Sequence, residues 1–123
     1  MTKVKIKIQV SHGRFIAFGP GKAQLLDAIK CNGSISAAAK SMNMSYKRAW
    51  ELVMVMNSSF TEPLVITTVG GPHGGGAALS AFGVDVLQRY LAIQAKSELF
   101  VLSEMDAFLA MLTPQAEADS KSQ

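Results

Sequence analysis

Hydrophobic and polar residues alternate over the first ten positions of the chain. The apolar positions are Val4, Ile6, Ile8 and Val10, and the residues between them are Lys3, Lys5, Lys7 and Gln9. A period of two predicts a β-strand with one buried face and one basic face. A turn at residues 11–13 and a returning strand over residues 14–18 complete a predicted hairpin. The lysine face either contacts phosphates or keeps a sheet edge soluble.

The period changes to that of a helix over residues 22–31, where Leu25, Leu26 and Ile29 share one face. Gly33 follows Asn32 and is typical of the position just past a helix end. The preceding sequence GPGK lacks the glycine spacing of a nucleotide-binding P-loop and the Ser or Thr after its lysine. A P-loop is therefore excluded.

Residues 34–57 predict two helices joined by a tight turn. The first is alanine-rich and runs over residues 36–42, the turn is at residues 43–44, and Ser45 caps the second helix. The positions spaced to bury one seam between the helices are Ile35, Ala38, Met42, Met44, Ala49, Val53 and Met56. This outline predicts a helix-turn-helix, whose second helix enters the DNA major groove. A compact helical pair with no DNA partner shows the same spacing.

The second of these helices opens with basic and aromatic residues. Tyr46, Lys47, Arg48 and Trp50 fall in its first turns, where a phosphate backbone and base edges are contacted. The alternative is that Tyr46 and Trp50 are core or interface aromatics.

Residues 64–69 (LVITTV) are rich in β-branched residues and predict a strand. A glycine-rich tip over residues 70–76 and a returning strand over residues 77–80 follow it. Two strands after a helix-turn-helix form the wing of a winged helix, and glycines allow close approach of backbone to phosphate. His73 at the tip is interpreted as a solvent or phosphate contact. A loop without a ligand is the alternative.

Ser80 is the predicted cap of a long helical segment over residues 81–112. Its nearly continuous apolar side is predicted to contain Leu87, Tyr90, Leu91, Gln94, Leu99, Val101, Leu102, Met105, Phe108, Leu109 and Leu112. Such a face needs a partner, and a second subunit is the simplest one because paired reading heads suit palindromic sites. The alternative is a segment that breaks near Ser97 and folds back. Residues 113–123 predict a disordered tail.

Charge is distributed unevenly along the 123 residues, although the net charge is only +3. Through Trp50 there are nine Lys and Arg residues against one acid, Asp27; from Glu51 onward there are three against eight. A basic half that contains the helix pair suits a polyanionic partner. Lysines on solvated faces are the alternative.

Cys31 is the only cysteine, so no intramolecular disulfide forms, and a reducing compartment is predicted. The chain shows neither a secretory leader nor an apolar run of about 18 residues. The sequence thus predicts a cytoplasmic protein.

Several motifs together resemble one family. They are GSIS-x-AAK from Gly33, SYK-x-AW from Ser45, GG-xx-GGGA-x-L from Gly70, and the Ser-x-x-Gly helix start from Ser80. Residues 25–90 resemble the N-terminal DNA-binding domain of the molybdate-responsive ModE regulators, and are similar to the wider LysR-type winged helix.

The resemblance implies a winged helix that dimerises through terminal helices and binds operator DNA. It implies DNA contacts at Ser36, Ser45, Tyr46, Lys47, Arg48, Trp50, Gly70, Gly71, His73, Gly74 and Gly75, with Gly76 also in the wing. Two departures stand out. The residues after the wing predict helix and tail instead of a separate molybdate-binding domain, so we predict no oxyanion sensor and no cofactor. Met54 and Val55 occupy positions where a DNA-facing helix is expected to be polar.

We therefore predict an α+β winged helix-turn-helix with an N-terminal β-hairpin and a long C-terminal dimerisation helix. The predicted divisions are residues 1–80, 81–112 and 113–123. The predicted function is a dimeric, sequence-specific transcriptional regulator on a palindromic operator, with a link to molybdate metabolism implied by the resemblance.

Three other functions compete with this prediction. An interaction module that kept the fold and lost DNA binding is favoured by the apolar segment and the seven methionines. An enzyme is disfavoured, because His12, His73 and Cys31 have neither metal-ligand spacing nor the setting of a nucleophile. Binding of an oxyanion at a basic dimer face or the glycine loop is supported only by glycines and positive charge.

Overall fold

The computed structural model describes residues 2–69 and 75–114. The elements are β1 (Val10–His12), β2 (Phe15–Phe18), α1 (Pro20–Asn32), α2 (Ile35–Ser41), α3 (Tyr46–Ser59), β3 (Val65–Thr68), β4 (Gly76–Leu79), α4 (Ala81–Glu104) and α5 (Asp106–Leu109). This mixture of helices with two small antiparallel hairpins confirms the predicted α+β class and is compatible with a winged helix. The chain divides into two units, of which residues 7–91 hold the core and the candidate site.

The N-terminal hairpin is shorter than predicted. β1 pairs with β2 only from Val10 to His12, and Gly13 makes the turn with a φ of 63°. The prediction of a strand from Val4 to Val10 was wrong, because residues 2–9 pair with no strand. The alternation describes burial in part, since Val4, Ile6 and Ile8 are half-buried between exposed lysines. Val10, the fourth residue of the predicted buried face, is exposed.

Side chains take the place of a partner strand along this segment. Within the larger unit, the Tyr90 hydroxyl donates to the Ile8 carbonyl at 2.7 Å. Within the smaller unit, the Gln94 amide donates to the Ile6 carbonyl at 2.9 Å. The two-residue period thus indicates the half-buried side chains of residues 4–8 but not the groups that satisfy the backbone.

Two predicted end signals of the central helices are present, the glycine after α1 and the serine cap of α3, whereas α2 runs over Ile35–Ser41 instead of residues 36–42. α1 begins at Pro20, earlier than predicted, because proline suits the first helical position. It ends at Gly33, whose φ is 79° and whose N–H donates to the Ile29 carbonyl. Ser34 caps α2 and Ser45 caps α3, each accepting a backbone N–H at 3.0 Å.

The predicted seam forms the centre of the core. Ile35, Ala38, Ala49, Val53 and Met56 are buried, and Met42 and Met44 pack against them. Leu25, Leu26 and Ile29 of α1 complete this layer, as predicted. Three aromatic contacts extend it, with ring centroids 4.9 Å apart for Phe18–Tyr90, 6.0 Å for Phe18–Phe60 and 6.3 Å for Phe60–Phe82.

The predicted wing strands are also present. β3 and β4 pair antiparallel, from Val65 opposite Leu79 to Thr68 opposite Gly76. The N–H of Ala77 donates to the Gly33 carbonyl at 2.8 Å and so attaches β4 to the turn between α1 and α2. Of the predicted wing tip over residues 70–76, residues 70–74 lie outside the described residues, and Gly76 belongs to β4.

Asn57 holds the beginning of β3 against the end of α3. Its side-chain oxygen accepts the N–H groups of Leu64 and Val65 at 2.8 and 3.1 Å, and its amide donates to the Val65 carbonyl at 3.0 Å. One side chain therefore satisfies three backbone groups at the start of the wing.

The first turn of α4 packs directly on the same place. The Ser80 hydroxyl accepts the N–H of Gly83 at 2.9 Å, which confirms the predicted cap. A Cβ atom at Gly83 would lie 2.1 Å from the Leu64 carbonyl oxygen. In the Ser-x-x-Gly motif the serine thus caps the first turn of α4, and the glycine allows that turn to pack against the Leu64 carbonyl.

The long C-terminal segment consists of α4 and the short α5. α4 continues through Ser97 and ends at Glu104, so the alternative of a break near Ser97 was wrong. Its buried residues, Gly83, Leu87 and Tyr90, all fall in its first ten positions. None of the described helices is long and apolar enough to cross a membrane. Of the predicted tail, residues 115–123 lie outside the described residues.

Replacement of Gly83 by alanine is expected to destabilise the protein, against the usual preference of helices for alanine. The new methyl group has no room beside the Leu64 carbonyl, so we expect the free energy of unfolding to fall by at least about 2 kcal/mol in urea denaturation. The matched variant Gly21→Ala lies in α1 with nothing within 4 Å of the added Cβ, and we expect it to be neutral or to gain up to about 1 kcal/mol. Equal effects of the two substitutions would contradict the packing argument.

Candidate nucleic-acid interface

The first turns of α3 present the aromatic and basic side chains that the sequence singled out. Tyr46 is 54% exposed and Trp50 is 44% exposed, and Lys47 is exposed between them. Tyr46 and Trp50 are therefore not core residues of this chain. Ser45 caps this helix, because its hydroxyl accepts the backbone N–H of Arg48.

On one side of this turn lies a groove between the helix pair and the wing, which we call the wing groove. It has a volume of about 210 Å³, and its lining residues are Ser34, Ile35, Ser36, Tyr46, Thr67, Thr68, Gly75 and Gly76. Of the predicted contact residues, it brings together Ser36, Tyr46 and Gly75. Hydroxyl groups dominate its polar surface, and hydroxyls are common donors to phosphate oxygens.

Arg48 lies on the opposite side of the turn, in a second concavity that we call the N-terminal cleft. The lining residues are Lys7, Gln9, Ile16, Gly19, Pro20, Gly21, Lys22, Met44, Arg48 and Leu52, around about 270 Å³. Burial, and secondarily the positive charge of Arg48, lowers the pKa of Lys22 below its usual value. The structure thus separates Arg48 from Tyr46, although they are two positions apart in sequence.

The wing glycines have different roles where the structure describes them. Gly75 is exposed. The N–H of Gly76 donates to the Thr68 hydroxyl, and a Cβ there would lie 3.2 Å from that oxygen and 3.4 Å from the Gly33 carbonyl. Gly76 is therefore a packing glycine. Gly70, Gly71, His73 and Gly74 lie outside the described residues, and their predicted contacts stay predictions.

The later part of α3 serves packing. Met54 is half-buried against the core, and Val55 is half-buried with its carbonyl bonded to the Ser59 hydroxyl at 2.7 Å. Their apolar character follows from this position in the helix.

Glu51 is a candidate contact that the sequence reading missed. It is exposed and lies four positions after Lys47, hence on the same helical face. A carboxylate at such a position accepts from cytosine N4 in the major groove. The i, i+4 spacing from Lys47 was the available signal. Lys7 and Lys22 were missed as cleft residues because they come from separate segments.

Residues 2–69 and 75–114 contain no group of three or more His, Cys, Asp or Glu side chains arranged to hold a metal ion. Cys31 is exposed.

Several known proteins are similar to this chain in sequence. Molybdenum transport protein ModE of Azotobacter vinelandii is 41% identical over 90 residues, which are 72% of this chain and 33% of that protein. The DNA-binding transcriptional dual regulator ModE of Escherichia coli K12 is also 41% identical over 90 residues, 72% of this chain and 34% of its own length. Over this segment the chain is ModE-like. Molybdenum-pterin-binding protein MopB of Rhodobacter capsulatus is 44% identical over 77 residues, 63% of this chain and 28% of that protein.

The chain spans about a third of the length of the ModE relatives that it matches. No model of a protein family matches it. The wider likeness to LysR-type proteins stays a prediction.

Removal of the Lys22 charge is expected to stabilise the ModE-like fold. In the pH range just below 10.5 the unfolded chain binds this proton more tightly than the folded chain, so the stability of the parent rises with pH there. At pH 7 the folded chain carries the full cost of the charge, and Lys22→Met should raise the thermal midpoint. The difference should shrink as the pH approaches 10.5.

Lys30→Met is the matched control, because Lys30 is exposed in the last turn of the same helix. A cation there interacts favourably with the helix dipole, so its loss should leave the midpoint unchanged or lower it slightly. A Lys22→Met protein less stable than Lys30→Met at pH 7 would count against a cost of burying the Lys22 charge beside Arg48.

Proposed function

We propose that this chain is a sequence-specific DNA-binding regulator of transcription, acting as a dimer on a palindromic operator. The observation that carries the proposal is the exposed, Ser45-capped first turn of α3. It presents Tyr46, Lys47 and Trp50 between the wing groove and the N-terminal cleft. The names of the ModE relatives support regulation of transcription.

In the proposed complex the first turns of α3 enter the major groove. Lys47 reaches a guanine acceptor or a phosphate, and Glu51 accepts from cytosine on the same face. Tyr46 and Trp50 pack against sugar or a thymine methyl group. Ser36, Thr67 and Gly75 of the wing groove follow the neighbouring backbone, where contacts fix register without reading sequence.

A link to molybdenum metabolism is part of the proposal. It rests on two relatives named for molybdenum transport and for molybdenum-pterin binding. We propose that the regulated genes are genes of molybdenum handling. We also propose that the chain is a binding protein without catalytic activity and without a cofactor.

The proposed dimer uses the end of the chain. The large apolar side chains exposed beyond residue 91 are Ile93, Leu99, Phe100, Leu102, Phe108, Met111 and Leu112. We propose that a second copy of the chain packs against these side chains. A twofold axis would then place two α3 helices on two DNA half-sites about 34 Å apart.

An interaction module without DNA binding is the second candidate function. The same exposed apolar residues favour it, since a large apolar patch marks a protein-interaction surface. DNA binding and self-association therefore need separate tests.

Lys47→Ala is expected to weaken operator binding. Selection of fragments from random and host genomic DNA with the parent should enrich a palindrome, which then serves as the probe. Loss of a base-edge contact by Lys47 should cost about 1–3 kcal/mol and relax specificity at one position of each half-site. Loss of a phosphate contact should weaken the binding of all DNA sequences alike. It should also make the plot of log binding constant against log salt concentration less steep by about 0.9.

Lys30→Ala is the control, because Lys30 lies in the last turn of α1 and lines neither concavity. Retention of DNA without an enriched motif would favour non-specific binding over the proposal. Parental affinity in Lys47→Ala would remove α3 as the reading helix.

Phe100→Glu is expected to separate the copies. Phe100 is 67% exposed, and a carboxylate buried at an apolar interface has no partner. Analytical ultracentrifugation should show a dimer for the parent and a dissociation constant at least about tenfold larger for the variant. Gln88→Glu, which adds the same charge at an exposed position of α4, should stay dimeric. A monomeric parent would refute the proposed assembly.

A further inference from the structure

The N-terminal cleft holds three cationic side chains that come from three separate parts of the chain. Lys7 precedes β1, Lys22 lies in the first turn of α1, and Arg48 lies in the first turn of α3. All three belong to the larger unit, residues 7–91. None of the lining residues is acidic, so nothing in the cleft wall neutralises the three charges.

The cations also lack partners elsewhere in the part of the chain that the structure describes. Within residues 2–69 and 75–114 the ion pair joins Arg89 to Asp85, neither of which lines the cleft. Lys22 is half-buried, whereas Lys7 and Arg48 are exposed. Burial, and secondarily the charge of Arg48, acts against the charged form of Lys22. Like charges held together in a partly buried site cost free energy that a bound anion would return.

The remaining lining suits an anion of limited size. Gln9 contributes an amide, and the backbone of residues 19–21 reaches the cleft where α1 begins without a side-chain cap. Ile16, Met44 and Leu52 form apolar walls, which lower the local dielectric and strengthen charge-assisted hydrogen bonds. The volume of about 270 Å³ is more than a tetrahedral oxyanion needs.

We propose that the N-terminal cleft binds one tetrahedral oxyanion between Lys7, Lys22 and Arg48. The group is either a phosphate of the DNA backbone that flanks α3 or a free oxyanion of the same shape. Arg48 connects the site to α3, because it belongs to the capped turn that we propose for base reading. The first source rests on the proposed DNA binding, whereas the second is independent of it.

Two measurements distinguish the sources, both on the full chain. In the absence of DNA, isothermal titration calorimetry is carried out with sodium sulfate, sodium molybdate and inorganic phosphate at low ionic strength. In the presence of DNA, affinity is measured at several salt concentrations. The parent is compared with Lys22→Met and with Lys30→Met, which removes the same charge about 12 Å further along α1. Circular dichroism verifies that both variants are folded.

Heat from a free oxyanion that disappears in Lys22→Met but persists in Lys30→Met would establish the site and a free ligand. Without such heat, a salt slope lower by about 0.9 in Lys22→Met, but not in Lys30→Met, would establish the site with a backbone phosphate as its ligand. Identical behaviour of the two variants in both measurements would overturn the proposal.

Failure of the DNA proposal has a separate signature. A parent that binds no DNA refutes the regulator, and the calorimetry then decides the cleft by itself. A parent that binds DNA and loses specificity in Lys47→Ala supports the regulator whatever happens at Lys22.

Discussion

The close contact between the first turn of α4 and the Leu64 carbonyl is the constraint on which the site depends. Only a residue without a side chain fits at Gly83, where a Cβ would lie 2.1 Å from the carbonyl oxygen. Ser80 binds the N–H of Gly83 and the carbonyl of Pro63, and Asn57 binds the next backbone groups. The end of α3, the start of the wing and the start of α4 therefore meet at one point. A shift in any one of them would change the angle between the wing and α3, and with it the wing groove.

The helix α3 divides its length between two tasks. Its first turns are exposed and carry the groups suited to DNA, whereas Val53, Met56 and Asn57 belong to the core and the wing attachment. Its two sides also differ, since hydroxyl groups line the wing groove and cations line the N-terminal cleft. In the proposed oxyanion site, Arg48 and Lys22 would represent a common compromise, in which a half-buried charge beside a like charge is retained for a ligand.

The C-terminal part of the chain differs from the winged helix in how its apolar side chains are buried. The buried residues of α4 stop at Tyr90, and the large apolar side chains beyond it are exposed. α4 nevertheless continues as a helix to Glu104, and nothing in the described chain covers these exposed side chains. Single substitutions such as Phe100→Glu can therefore test the proposed self-association without disturbing the winged helix.

The sequence by itself determined the elements that local rules govern. Serine caps at positions 45 and 80, the glycine that ends α1 at position 33, and the apolar seam of the helix pair all act over a few residues, and the structure contains each of them. The cap at Ser34 obeys the same local rule, although the predicted helix began at residue 36. The wing strands followed from β-branched composition for the same reason. Tertiary structure decided what depends on distant partners. The alternation of residues 3–10 marked the half-buried side chains of residues 4, 6 and 8, but it did not mark the partners of their backbone, which are side chains more than 80 positions away. Likewise Lys7, Lys22 and Arg48 share a cleft only because the chain folds three segments together, and no periodicity of a single segment records that.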